Sequence, residues 1–101
     1  MVYVVQDDGS KNFSPALKFG DIATIMTNDY PKFNTESGMV MIQKLRKGLD
    51  DFNAKTDHLL LTGDPVLIGL AMYFALQKSC TIRCLKWDKQ TSQYIPITIK
   101  L

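Results

Sequence analysis

The sequence predicts one α/β domain over residues 1–101, a mixed sheet of about five strands carrying two helices in the order ββαβαββ. Three observations carry that expectation. His58-Leu59-Leu60-Leu61-Thr62 is apolar without alternation, as a strand buried on both faces of a parallel sheet is. Gly63-Asp64-Pro65 follows at once, with Asp64 suited to a helix N-cap and Pro65 to the first helical position, where a missing N–H costs nothing. Gln93 to Lys100 alternates, setting Ile95, Ile97, Ile99 and Leu101 against Tyr94, Pro96, Thr98 and Lys100.

The remaining elements follow in order. Val2 to Val5 is a β-branched and aromatic strand, stopped by the turn residues Asp7-Asp8-Gly9-Ser10. Between Lys11 and Gly20, Ser14-Pro15 argues against regular structure. Asp21 to Thr27 fits a strand with Ile22, Thr24 and Met26 on one face and Ala23 and Ile25 on the other. Thr27 to Thr35 is a loop by composition. From about Thr35 to Asn53, Ile42, Leu45, Leu49 and Phe52 draw one apolar stripe, opposite Lys44, Lys47, Asp50 and Asp51, so an amphipathic helix is expected. Gly48 inside it costs roughly 1 kcal/mol relative to Ala, which suggests a close neighbouring backbone. The second helix runs from Pro65 to about Lys78. Thr81 to Trp87 is a strand, Asp88 to Ser92 a turn, and Gln93 to Lys100 the returning strand. Leu59 to Trp87 should form a right-handed parallel crossover. Pro96 cannot donate to a ladder, so the last strand belongs at an edge or turns its N–H side outward there.

Composition narrows the function classes. With 46% hydrophobic and 22% charged residues, the chain of 101 residues is not disordered. Twelve Lys and Arg face ten Asp and Glu, so charge-driven nucleic-acid binding has little global support. The uncharged run Pro65 to Leu76 falls short of the ~20 residues that span a bilayer, and no membrane partner is expected. Met1-Val2-Tyr3-Val4-Val5 lacks the basic start of a signal peptide, so a reducing, cytoplasmic location is the expectation. Cys80 and Cys84 fall on the same strand, roughly 13 Å apart, too far for a disulfide. They read as two reduced, partly buried thiols. No cofactor, metal site or catalytic residue is expected, and His58 has no nucleophile to serve.

Four groups of residues are site candidates. Thr62, Gly63 and Asp64 lie where a parallel strand meets a helix N-terminus, a place where ligands and anions bind. Asp64 as N-cap and the missing N–H of Pro65 favour plain capping there. Asp7, Asp8 and Asp21, with Asp64, could converge on a cation, although a solvated turn explains them more simply. Arg83, Lys86, Trp87 and Tyr94 mix cations with aromatic rings on one hairpin, as single-strand binders do. The second helix is apolar all round its cylinder, and a sheet covers only one side of it. Leu70, Met72, Tyr73 and Leu76 are therefore the expected interface of a homo-oligomer, most simply a two-fold dimer.

Gly63-Asp64-Pro65 with Ile68-Gly69-Leu70-Ala71, then Leu85-Lys86-Trp87-Asp88-Lys89-Gln90 and Tyr94-Ile95-Pro96-Ile97, resembles small tailed-bacteriophage proteins over residues 59–101. The resemblance implies an accessory phage protein acting in the host cytoplasm, by binding itself, a host protein or nucleic acid. The functional expectation is a non-enzymatic, oligomeric binding protein. A small-ligand or nucleotide binder at Thr62 to Pro65 is the alternative, and a single-stranded nucleic-acid binder is the third reading, possible but not favoured.

Overall fold

In the computed structural model, which describes residues 1–27 and 35–101, five strands form one sheet in the order β2-β1-β3-β4-β5. They are β1 (Val2–Gln6), β2 (Ile22–Met26), β3 (His58–Leu60), β4 (Thr81–Asp88) and β5 (Gln93–Lys100). The first four are mutually parallel, and β5 returns antiparallel to β4. Helix α1 (Glu36–Gly48) links β2 to β3, and α2 (Pro65–Leu76) links β3 to β4. The expected mixed α/β architecture is the one observed.

Alternating side chains of the strands divide between two cores. Tyr3, Val5, Leu59, Ile82 and Cys84 meet Leu45 and Leu49 from the α1 segment and Leu67, Ala71 and Ala75 from α2. Val2, Val4, Leu60 and Leu85 meet Ala16 and Tyr94 on the opposite face, with Phe13, Phe19 and Ile22 against them. All five residues of β1 are buried, which explains why Val2 to Val5 shows no polar alternation.

The segment before β2 departs from the expected irregularity. Ser14–Phe19 is a 3-10 helix with Pro15 in its first turn, and it closes the second core by burying Ala16. Proline suits a helix start as well as a loop, so Ser14-Pro15 alone cannot separate the two. The first long helix ends at Gly48, five residues before the expected Asn53, yet Leu49 and Phe52 still reach the core from turns. Met41 packs against that core where the stripe implicated Ile42. Met26, at the end of β2, joins Ala23 and Ile25 in the helix-side core instead of following Ile22. Cys80 precedes β4 and is exposed, whereas Cys84 is fully buried, so the two thiols are not alike.

Gly48 has a packing reason. A Cβ there would lie 2.5 Å from Cγ2 of Ile25, so α1 rests directly on β2, against a side chain where a backbone was expected. Pro96 also finds its place. Leu101 N–H donates to Cys80 O at 2.8 Å, extending the β4–β5 ladder, so alternate residues Ile95, Ile97 and Ile99 bond to β4. Tyr94, Pro96, Thr98 and Lys100 then turn their backbones to the free edge. Proline interrupts that row of donors and discourages another strand from adding to it.

Gly48→Ala should lower stability by about 1–3 kcal/mol in urea unfolding, despite the better helix propensity of alanine. In the Ile25→Ala background the same substitution should cost less, because the obstructing methyl has gone.

Candidate functional site

The strand order reverses between β1 and β3, so the carboxyl ends of these two strands flank a topological switch point. Gln6 closes β1 there, and Thr62 follows β3. Gln6 N–H donates to Thr62 O at 3.2 Å, and Asp64 N–H donates to Gln6 Oε1 at 2.8 Å. Gly63 adopts φ +111°, and a Cβ on it would sit 2.4 Å from Cβ of Gln6. Glycine is required at this position on both grounds. Asp64 caps α2, its Oδ1 accepting from Val66 N–H at 2.8 Å. The donors a phosphate would want at Thr62, Gly63 and Asp64 are thus largely engaged within the chain, and Pro65 has none. Thr62 is buried, and its Oγ1 accepts from Lys11 Nζ at 2.6 Å, which brings a cation to this edge.

The four aspartates do not converge. Asp21 O accepts from Val2 N–H at the amino end of β1, whereas Asp7 and Asp64 lie at the carboxyl end. Among the described residues no cluster of three or more His, Cys, Asp or Glu could hold a metal. Asp7 and Asp8 cap their own turn, accepting from Gly9 N–H and Ser10 N–H at 2.8 and 2.9 Å.

The amino edge holds a different group. Asp57 is buried and accepts from Asn53 N–H at 2.8 Å, from the Met1 ammonium at 3.1 Å and from Thr56 Oγ1 at 3.2 Å. Burial opposes its charge, but these donors outweigh burial and hold its carboxyl below the usual carboxylate value. His58 lies beside the Phe19 ring at 5.4 Å between centroids, with Nδ1 buried and, among the described residues, without a hydrogen-bond partner. Arg83 belongs here too, donating from Nη2 to Lys55 O.

The hairpin candidates therefore separate. Arg83 and Trp87 share a sheet face, as strand parity requires, but four residues of extended chain put them roughly 13 Å apart. Lys86 lies on the opposite face. Trp87 and Tyr94 do come together, with ring centroids 4.8 Å apart in an edge-to-face arrangement. Tyr94 is buried, and burial raises its phenol pKa. Both rings line a cleft of about 440 Å³ together with Lys11, Asn12, Pro15 and Ser92. Lys11, Asn12 and Pro15 were invisible as site residues in the sequence. They arrive because the 3-10 helix folds over this sheet face, and Pro15 at a helix start was the only local hint.

On α2, Tyr73 and Val66 are 58% and 50% exposed, while Leu70, Met72 and Leu76 are half-buried with their flanks against the helix-side core. Phe74 turns toward α1, under the Arg46 guanidinium at 6.0 Å. Gly69 points outward, and among the described residues no atom beyond its chain neighbours and its own helix backbone comes within 4 Å of where its Cβ would be. Of the expected interface residues, Tyr73 is the one that stands clear of the core.

The family model of phage Pam3 gp32-like proteins matches residues 1–101. The chain belongs to this family. The match takes in the N-terminal half as well as the stretch 59–101 that carries the resemblance to small bacteriophage proteins. No curated protein and no solved structure matches the chain. No helix among the described residues of this phage Pam3 gp32-like protein is long and apolar enough to cross a membrane.

The amino edge makes stability depend on pH. Burial first, then the Arg83 guanidinium and the Met1 ammonium, push the His58 imidazole below its ordinary pKa, with Asp57 pulling the other way. A base with a depressed folded-state pKa takes up its proton more readily in the unfolded chain, so stability is full above about pH 6.5 and falls as pH drops below it. The urea midpoint should decline on that limb, and His58→Gln should flatten it. Asp57, also depressed, adds a separate loss at lower pH, which His58→Gln should leave in place.

Proposed function

We propose that this protein is a non-enzymatic interaction module that pairs with a second copy of itself through the outer face of α2. The observation that carries the reading is Gly69. A glycine in the middle of a helix costs about 1 kcal/mol relative to alanine. Gly48, also a helical glycine, is pressed against Ile25 within the chain, whereas the outward side of Gly69 meets no other part of the described chain. It lies between Val66 and Tyr73, the two most exposed large apolar residues of α2. In an antiparallel pair of α2 helices, Tyr73 of each copy would seat over Gly69 of the other. No charged residue occurs from Pro65 to Leu76, so a two-fold contact brings no like charges together.

Size-exclusion chromatography with light scattering, at two well-separated concentrations, should give twice the 11.4 kDa chain mass. Tyr73→Glu and Gly69→Arg should both yield folded monomers. Gly69→Ala should leave the monomer fold intact and raise the stability of a monomeric Tyr73→Glu background by about 0.5–1 kcal/mol. A wild-type chain that stays monomeric at the higher concentration overturns the reading, as does a Gly69→Arg chain that still pairs.

A further inference from the structure

We infer that the cleft between the 3-10 helix and the β4–β5 hairpin binds an unpaired nucleotide of single-stranded nucleic acid, its base stacked on Trp87 and its phosphate held by Lys11. The cleft lies on the sheet face opposite α2, so the inference is independent of self-association. Trp87 is 39% exposed, which leaves much of the indole open to a planar ring. Its edge-to-face contact with the buried Tyr94 holds it in place, so little side-chain freedom is lost on stacking. Pro15 supplies a second apolar wall, and the volume of about 440 Å³ suits one small ligand.

Charge selects the ligand. Among the described residues no acidic side chain lines the cleft, and Lys11 makes no ion pair within 4 Å. Thr62 Oγ1 takes one of its donors at 2.6 Å, which positions the ammonium and leaves two donors for a ligand. Asp8, whose charge Lys11 stabilises, is turned to Ser10 N–H and Oγ. On the hairpin, Asp88 is tied to Thr91 Oγ1 at 2.6 Å and Gln90 N–H at 3.3 Å, while Lys86 and Lys89 are exposed. One positioned lysine matches the single charge of a phosphodiester. A free nucleotide's di- or triphosphate would want the amides at the start of α2, where Asp64 N–H is taken by Gln6 Oε1, Val66 N–H by Asp64 Oδ1, and Pro65 has none. A base can reach the indole only when it is unpaired, which favours a single strand over a duplex.

Trp87 is the only tryptophan in the chain, so its fluorescence reads the cleft directly. Titration of the full chain with a short oligothymidylate should quench it saturably, and added salt should reverse the effect. Lys11→Gln should weaken binding about tenfold. Trp87→Ala, followed by anisotropy of a labelled oligonucleotide, should weaken it tenfold to a hundredfold, while Trp87→Phe keeps most of the affinity. Arg83→Gln, toward the amino end of β4 and roughly 13 Å from Trp87, should change it by less than about twofold. Three outcomes overturn the inference: no quenching, a duplex or thymidine monophosphate bound as tightly as the strand, or Arg83→Gln as damaging as Lys11→Gln.

Discussion

The burial of β1 on both faces is the constraint on which the rest of the structure depends. Val2 to Gln6 lies between β2 and β3, with every residue buried. A strand in that position needs cover above and below, and the chain supplies it unequally. Two long helices lie over Tyr3 and Val5, whereas a single 3-10 turn with Ala16, helped by Phe13 and Phe19, lies over Val2 and Val4. The thin cover on the second face is what leaves a cleft beside the β4–β5 hairpin.

The carboxyl end of β1 couples the sheet to α2. Gln6 is hydrogen-bonded to the turn after β3 through both its backbone and its side chain, and Gly63 closes against it with no room for a methyl group. This contact sets where α2 begins and engages the amides that a bound anion would otherwise use. The same edge then acquires its cation from elsewhere, through Lys11 on Thr62. Lys11 also lines the neighbouring aromatic cleft, so the cation of this edge lies beside the rings and not at the helix N-terminus, where doubly wound folds commonly hold phosphates.

Two helical glycines show how much a local sequence can reveal. Gly48 and Gly69 look alike in sequence, each a glycine inside a helix. One is pressed against Ile25, and the outward side of the other meets no other part of the described chain. Their contrast is a tertiary fact, because the helix turns one toward the sheet and the other away from it. Pro96 differs in kind. Its missing N–H carries positional meaning by itself, and the edge position of β5 follows from it.

By itself the sequence determined the order of strands and long helices, the start of α2 at Asp64-Pro65, the edge strand and the apolar surplus of α2. These rest on periodicity, capping chemistry and the lost donor of proline, all of which act over a few residues. It also placed Trp87 and Tyr94 on one hairpin, while the register that sets them opposite each other came from the structure. Tertiary structure alone decided that Lys11 and Pro15 join those rings, that Arg83 and Lys86 leave them, and that Asp21 lies at the opposite end of the sheet from Asp7. Each of those outcomes depends on which way a crossover carries the chain and which face it covers, and that is settled by burying both faces of β1, not by any local pattern of residues.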